Sequence, residues 1–193
     1  MNIDVRMATS QDRLAIEDLH DYVHFTMKES GLKQEFFMPY IENNVWRFET
    51  GNCVLASDGT DLVGVTGAIM HGKELYRYAS MLDIHPNNLA ELFIFQHPDY
   101  RALSEYTQLT EKRISEELTN KIEKYLRKNR IRFACATSHP EHPAKEQLVR
   151  LGFTQVSEPF MARDKYERVL LKKDVGFATR HLKRPKKEND LIR

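Results

Sequence analysis

Apolar and polar residues alternate at the start of the chain, and the apolar spacing then changes to three and four. Ile3, Val5 and Met7 alternate with polar residues, which predicts a short first strand. Helical spacing follows Thr9, a residue type that caps helices, and it stops at Gly31. The apolar positions of this first predicted helix are Ala15, Leu19, Tyr22, Val23 and Met27.

A second helix and a hairpin are predicted in the next part of the chain. Four apolar residues recur at intervals of three and four before Gly51, namely Phe37, Ile41, Val45 and Phe48. Two apolar runs, residues 53–56 and 62–70, then flank the Asp58-Gly59 turn. Asp-Gly between two apolar runs is a strong hairpin signal, so we expect these runs to pair.

The second half of the chain predicts alternating strands and helices, although residues 73–88 show no clear period. Residues 89–95 form an apolar strand that holds one carboxylate, Glu91. A long helix is predicted by the face formed by Ile114, Leu118, Ile122, Tyr125 and Leu126. The remaining predicted elements are a strand at 131–136, a short helix at 144–151 that ends at Gly152, and a final hairpin of 153–161 with 166–171.

The predicted order of elements is β-α-α-β-β-β-α-β-α-β-β. It combines hairpins with β-α-β crossovers, and therefore indicates an α/β (α+β) fold in which helices cover both faces of a mixed, mostly antiparallel central sheet. We expect one domain over residues 1–171. Residues 172–193 carry five Lys and three Arg against three acidic residues. This basic tail is expected to be mobile and solvated, or to make a weak contact with a polyanion.

Composition narrows the class of protein. The 193 residues are 41% apolar and 30% charged with a net charge of +1, which is typical of a globular domain without an overall bias toward nucleic acid. No apolar stretch approaches the roughly 20 residues that span a bilayer, and the N-terminus does not resemble a secretory signal. A cytoplasmic location is therefore expected. Cys53 and Cys135 lie in predicted strands and are expected to be buried free thiols.

Three local patterns occur in an order that resembles one known superfamily. They are the hairpin at 58–64, the strand segment 91–94 followed by Pro98-x-x-Arg101, and Leu-Gly-Phe at 151–153 after a short helix. Together they resemble the GNAT superfamily of N-acyltransferases over residues 2–171. The resemblance implies an N-acetyltransferase that moves an acetyl group from acetyl-CoA, or another acyl group from its CoA thioester, to a primary amine. The acceptor would be a small molecule or a peptide, and the protein a monomer or a homodimer.

The resemblance also implies where the cofactor lies. In the family the central strand parts from its neighbour and pairs with the pantetheine arm, which places Phe93, Ile94 and Phe95 beside it. Arg101 would open the cofactor loop. The pyrophosphate would bind at the start of the third helix, where main-chain N–H groups and the helix dipole favour anions.

The sequence departs from the family pattern at that helix start. Counting back from the following strand, the glycine-rich turn falls on residues 110–115, which contain no glycine, and an insertion follows Arg101. Two interpretations remain open. Lys112 and Arg113 hold the pyrophosphate by charge, or the cofactor site is degenerate and the domain only binds a partner. A remodelled loop would also suit a larger acyl donor.

Acyl transfer to an amine requires a base and a proton donor for the leaving thiolate. Glu91 is the candidate base, because a carboxylate in an apolar strand is expected to be buried and its pKa raised. Alternatively, Glu91 pairs with a basic residue or faces solvent. The family's usual acid, a tyrosine, corresponds to Leu148 here. Ser138, His139 and His142, just before the short helix, are the candidate replacements.

Two tyrosines and one Cys-His-His spacing are weaker candidates. Tyr106 and Tyr125 also carry acidic hydroxyls, but Tyr125 falls on an apolar helix face and is expected in the core. Cys135, His139 and His142 have a spacing that invites comparison with a zinc site, yet no fourth ligand is apparent and we expect no metal.

Overall fold

The computed structural model of the chain describes residues 3–29, 41–42, 45–46, 49–97, 105–142, 144–162 and 165–176, and gives the main chain alone for 41–42, 45–46 and 105–112. The strands are β1 (Ile3–Met7), β2 (Ile41–Glu42), β3 (Val45–Trp46), β4 (Cys53–Asp58), β5 (Asp61–Ile69), β6 (Leu89–Gln96), β7 (Phe133–Ser138), β8 (Thr154–Gln155), β9 (Phe160–Met161) and β10 (Glu167–Asp174). The helices are α1 (Arg13–Glu29), α2 (Lys73–Met81), α3 (Glu105–Lys128) and α4 (Ala144–Arg150).

A single mixed sheet organises the domain. Its strand order is β1-β4-β5-β6-β7-β10-β8, and β9 pairs with β10 beside β8. All of these pairs are antiparallel except β6 with β7. The predicted fold class is therefore confirmed, including the 53–70 hairpin, whose turn holds Gly59 at φ 62°.

The two faces of the sheet bury different helices. α3 packs on one face through Ile114, Leu118, Ile122 and Leu126, as its periodicity predicts. The opposite face is covered by α1, which buries Ile16, Leu19 and Val23, and by α2, which buries Leu75, Tyr78 and Ala79. Because side chains alternate along a strand, each strand supplies residues to both layers.

The predicted second helix is wrong in the part that the structure describes. Ile41–Glu42 and Val45–Trp46 pair with each other as a two-stranded hairpin. Their apolar residues are β-branched or aromatic, which favours strands, and the Asn-Asn pair between them in sequence favours a turn. Phe37 and Phe48 lie outside the described residues. Conversely, α2 occupies a segment for which periodicity gave no prediction.

Both cysteines are free and buried, as predicted. Burial raises the pKa of the Cys53 thiol to about 12. Burial also raises the pKa of the Cys135 thiol, and the nearby Glu91 carboxylate raises it further. Both thiols are therefore protonated at neutral pH and serve as apolar core groups.

Two other predictions concern membranes and the tail. None of the described helices is long and apolar enough to cross a membrane. Residues 177–193, which make up most of the basic tail, lie outside the described residues, and their contact with a polyanion stays a prediction.

Gly67 of β5 is required by close packing against β6. A Cβ atom at this position would overlap the ring of Phe93 at Cζ and would lie 2.9 Å from Cys53 Sγ. Phe93 stacks in turn on Phe95, with ring centroids 5.8 Å apart. The missing side chain at Gly67 therefore fixes the position of two aromatic rings on the central strand.

We expect Gly67→Ala to lower the free energy of unfolding by about 1–3 kcal/mol, because the methyl group must displace a packed ring. Urea unfolding measures this change. Gly51→Ala is the matched control, since a Cβ there meets nothing within 4 Å. Equal unfolding midpoints for the two variants would contradict the packing argument.

Candidate active site

β6 and β7 separate from each other halfway along their length. Their pairing covers Leu89 with Phe133, Ala90 with Ala134 and Glu91 with Cys135, and it stops there. Each strand nevertheless keeps its outer partner. β6 pairs with β5 as far as Gln96, and β7 pairs with β10 as far as Ser138. The gap between residues 92–96 and 136–138, which we call the wedge, is the parting that the resemblance implies.

The main chain of Ile94 faces the wedge. The His97 N–H donates to the Val63 carbonyl across β5 at 2.9 Å, whereas the Asn88 carbonyl accepts from Arg132 on the β7 side at 3.1 Å. N–H and C=O groups alternate in direction along a strand. Odd-numbered residues of β6 therefore bond toward β5, and Leu92 and Ile94 point theirs into the wedge.

Phe93 and Phe95 make their main-chain contacts elsewhere. The Phe93 carbonyl accepts from Thr66 Oγ1 of β5 at 2.8 Å, and Phe95 pairs with Val65. Both side chains are buried in the layer below α1. Of the three residues predicted to line the cofactor arm, Ile94 alone turns its main chain toward the wedge.

Glu91 lies at the apex of the wedge. It belongs to the last pair before the two strands part, and its side chain is 2% exposed. This burial rules out the alternative in which Glu91 faces solvent. By strand alternation its carboxylate lies on the α1 and α2 face, the same face as Phe93 and Phe95. Its role as a base stays a prediction.

Ser138 and His139 are buried at the far end of the wedge, with exposed fractions of 6% and 8%. Ser138 Oγ donates to the His139 carbonyl at 3.2 Å, and His139 Nδ1 accepts from the Glu141 N–H at 3.2 Å. Because Nδ1 is an acceptor, the ring carries its proton on Nε2. Alternation along β7 places Ser138 on the α3 face, opposite the face of Glu91.

The cationic residues are not at a helix start. α3 already runs from Glu105, so residues 110–115 lie within it and the predicted turn there is wrong. The segment contains neither Gly nor Pro, so nothing in it interrupts a helix. Arg113 is exposed on α3 and pairs with Glu117 at 2.9 Å. The side chain of Lys112 and all of Arg101 lie outside the described residues.

A polar cluster that the sequence analysis missed joins three elements at the wedge. Gln96 at the end of β6 and Gln147 of α4 both donate to Ser115 Oγ of α3, at 2.9 and 2.7 Å. Gln96 and Ser115 are fully buried. The only signal for them in the sequence is a polar residue next to an apolar stripe, which is common in proteins.

The tyrosine alternative does not reach the wedge. Tyr125 Oη donates to Asn52 Oδ1 at 2.5 Å and lies ten residues after Ser115. At 1.5 Å per residue this is about 15 Å farther along the helix. Leu148 packs against the core below α3, and the side chain of Tyr106 lies outside the described residues.

A histidine pair on α1 was also missed. The His20 ring is 5% exposed, meets the Phe95 ring edge-on at 5.9 Å and lies 4.2 Å from the ring of His24. Burial, followed by the neighbouring His20, lowers the pKa of His24 to about 4. The available signal was a histidine within the buried stripe Ile16, Leu19 and Val23.

Within the described residues, no three His, Cys, Asp or Glu side chains are grouped as metal ligands. Cys135 in particular packs among the apolar residues under α2. The groups available around the wedge are therefore the buried Glu91 carboxylate, the His139 imidazole, the Ser115 cluster and main-chain donors.

The lowered pKa of His24 makes stability depend on pH. The unfolded chain takes up this proton near pH 6.5 and the folded chain only near pH 4, so stability falls between these values. We expect His24→Gln to lose less stability than wild type when the pH drops from 7 to 4. Urea unfolding at pH 7 and pH 4 measures the free energy of unfolding, and the exposed His71→Gln is the control. A difference in this free energy between wild type and His24→Gln that stays constant with pH would contradict the role of His24.

The sequence matches no family model and no curated protein. Solved structures, in contrast, are similar over most of the chain. A GNAT-family acetyltransferase from Listeria monocytogenes 4b F2365 aligns with a TM-score of 0.60 at 21% identity, over 89% of this chain and 94% of its own. FeeM, an N-acyl amino acid synthase from uncultured soil microbes, aligns with a TM-score of 0.61 at 17% identity, over 90% and 91%.

The yncA protein from Salmonella typhimurium, solved with its cofactor acetyl-CoA, aligns with a TM-score of 0.54 at 13% identity, over 92% of this chain and 96% of its own. These identities are low, so the similarity lies in the arrangement of elements rather than in the residues. The resemblance predicted from the sequence is confirmed at that level: the chain has the fold of the GNAT acyltransferases in a divergent form.

Proposed function

We propose that this protein transfers an acyl group from an acyl-CoA thioester to a primary amine. The observation that carries the proposal is the wedge, because no strand among the described residues pairs with the inner edge of β6 at Leu92 and Ile94, while both strands stay paired on their outer sides. An unpaired strand edge inside a domain is a binding site for an extended, amide-bearing chain. The pantetheine arm of CoA is such a chain.

Two parts of an acyl-CoA, the pantetheine arm and the phosphates, have proposed partners in this chain. Leu92 and Ile94 offer main-chain donors and acceptors to the arm, and Lys112, Arg113 and Arg101 would supply positive charge for the phosphates. Charged side chains then replace the helix-start N–H groups that a glycine-rich turn would offer. Arg113 can swing from Glu117 to a phosphate at little cost, because an exposed i,i+4 pair is worth only about 0.3–0.5 kcal/mol.

The proposed chemistry uses groups on both sides of the wedge. Glu91 accepts the proton that the amine nitrogen loses as the new C–N bond forms, through a water molecule because its side chain is buried. The Ile94 N–H donates to the carbonyl oxygen as negative charge develops there. His139 Nε2–H donates a hydrogen bond to sulfur as the C–S bond breaks, and the CoA thiolate that leaves takes its proton from water.

Acetyl is the proposed acyl group, because the similar folds include acetyltransferases and a protein solved with acetyl-CoA. A longer acyl donor is the second candidate, favoured by the similarity to an N-acyl amino acid synthase. The acceptor is a primary amine on a small molecule or a peptide.

A binding domain without catalysis is the competing proposal. It is favoured by two departures from the family pattern: α3 continues through residues 110–115 without a glycine turn, and Leu148 replaces the usual tyrosine. The two proposals predict different results with acetyl-CoA.

Acetyl-CoA at 100 times its dissociation constant should stabilise the protein by about 2.7 kcal/mol, which a thermal melt detects. Glu91→Gln should keep this shift but lose at least about 100-fold in acetyl transfer, because a general base contributes 10²–10⁴-fold. Glu167→Gln, an exposed acid on β10, is the matched control and should retain both.

No melting shift with acetyl-CoA at saturating concentration would refute the acyltransferase proposal and leave the binding domain. A shift combined with full activity of Glu91→Gln would remove Glu91 from the mechanism without affecting the proposed reaction.

The proposed phosphate contacts are tested by a double variant, Lys112→Ala with Arg113→Ala. We expect its dissociation constant for acetyl-CoA to rise at least about tenfold, since a hydrogen bond to a charged group is worth about 1.5–3 kcal/mol. Calorimetric titration measures this constant. Lys124→Ala with Lys128→Ala, two exposed cations later on α3, is the control; an equal rise in both double variants would contradict a specific role.

A further inference from the structure

Positive charge is concentrated in two segments of the chain. Residues 121–132 hold six Lys and Arg against one acidic residue, a net charge of +5. Residues 172–193 hold a further +5. Because the whole chain carries only +1, all the other residues together carry −9. The balanced overall composition therefore conceals a strongly uneven distribution of charge.

The fold brings the two basic segments together. Residues 121–132 form the last two turns of α3 and the link to β7, and residues 172–176 lie at the end of β10. The Val175 N–H donates to the Arg132 carbonyl at 2.9 Å, and Arg127 Nη1 donates to the Val175 carbonyl at 2.8 Å. We call the surface formed by these two stretches the basic surface. It lies where β6 and β7 are paired, about 16 Å along β7 from the open end of the wedge.

Much of the charge on the basic surface is not neutralised by neighbouring acids. Of the nearest acids on α3, Glu117 pairs with Arg113 at 2.9 Å. Glu123 pairs with Arg127 at 3.6 Å and with Lys173. Among the described residues, no carboxylate pairs with four cations of the surface, namely Lys121, Lys124, Lys128 and Arg130. The last three of these are exposed.

Helix electrostatics account for only part of this charge. Cations in the last turn of a helix are favoured by the helix dipole, which explains Arg127 and Lys128. The dipole effect falls off within one turn, so it does not explain Lys121 and Lys124. These lysines are spaced by three and four residues, so their Cβ atoms lie about 5–6 Å apart and their like charges repel. An anionic partner would remove that repulsion.

The composition of the basic surface distinguishes between classes of anionic partner. Protein interfaces have an apolar core rich in aromatic residues, and segments that lie on membranes insert apolar side chains. No large apolar side chain is exposed within residues 121–132 or 172–176. Lys and Arg hold phosphates without such groups. The surface therefore favours the phosphate backbone of a nucleic acid.

The same surface favours a duplex over a single strand. Proteins commonly bind single strands by stacking the bases on aromatic side chains. The half-buried Phe133 ring is already covered by two cations, with Arg132 Cζ at 4.8 Å and Lys172 Nζ at 5.4 Å from its centre. A duplex also carries twice the charge of one strand per unit length.

We propose that the basic surface binds the phosphate backbone of double-stranded nucleic acid. Lys124 and Lys128 each neutralise one phosphate, and Lys121 and Arg130 extend the contact on either side. Residues 177–193 follow directly in sequence and hold six Lys and Arg against two acidic residues, so they add charge for the same partner. Binding at this end of the domain does not depend on the proposed acyl transfer at the wedge.

Fluorescence anisotropy of the full chain with a labelled, mixed-sequence DNA duplex of about 20 base pairs measures this binding. We expect Lys124→Ala with Lys128→Ala to weaken it at least about tenfold. The slope of log K against log salt should become shallower by about 2, because each phosphate contact contributes about 0.9 to it. Lys124→Arg with Lys128→Arg keeps the charge and should bind as wild type does.

Lys28→Ala with Lys73→Ala is the matched control. It removes the same charge from two exposed positions on α1 and α2, across the sheet from α3, and should bind the duplex as wild type does. All of these variants change exposed side chains, and an unchanged melting temperature shows that each is folded.

Three results would overturn the proposal. The first is an equal loss in the two alanine variants, which would show a response to net charge alone. The second is unchanged binding by Lys124→Ala with Lys128→Ala, which would assign the duplex to residues 177–193. The third is a wild-type chain that binds the duplex more weakly than the single strand, poly-glutamate or phosphatidylserine vesicles.

Discussion

The pairing of β6 with β7 ends at Glu91 and Cys135 while both strands continue, and the site depends on this interruption. An unpaired strand edge inside a domain costs free energy unless another group satisfies its N–H and C=O groups. The outer pairings of β6 with β5 and of β7 with β10 hold the edges in place, so the gap is part of the fold. A ligand with its own amide groups is the natural partner for such an edge.

The two faces of the sheet give the wedge two different sides. On the α3 face, Ser115 ties Gln96 to Gln147 and Ser138 lies at the end of β7. On the α1 face, Glu91 lies on β6 in one row with Phe93 and Phe95, and His20 of α1 meets the Phe95 ring edge-on. A thioester lying in the gap would have hydroxyl and amide groups on one side and the Glu91 carboxylate on the other.

The sequence predicted those features that depend on long, strongly periodic segments. The strand pattern around Glu91 and the apolar stripe of α3 identified the sheet, its main helix and the buried carboxylate. The predictions for short elements were wrong for physical reasons. Ile41 and Val45 have helical spacing, but as β-branched residues they also fit a hairpin. The region where α3 begins contains no glycine, so the sequence contains no signal for the first residue of that helix. His20 was missed because a histidine in an apolar stripe has the pattern of a core residue. Its position beside β6 depends on the contact with Phe95, which lies 75 positions later in the chain.

Amide hydrogen exchange at single residues of β6 tests the open edge most directly. The N–H groups of Leu92 and Ile94 should exchange faster than those of Phe93 and Phe95, which bond to β5, and acetyl-CoA should slow the first pair selectively. Uniform protection along the strand without ligand, or no change on adding acetyl-CoA, would contradict a wedge that receives a thioester.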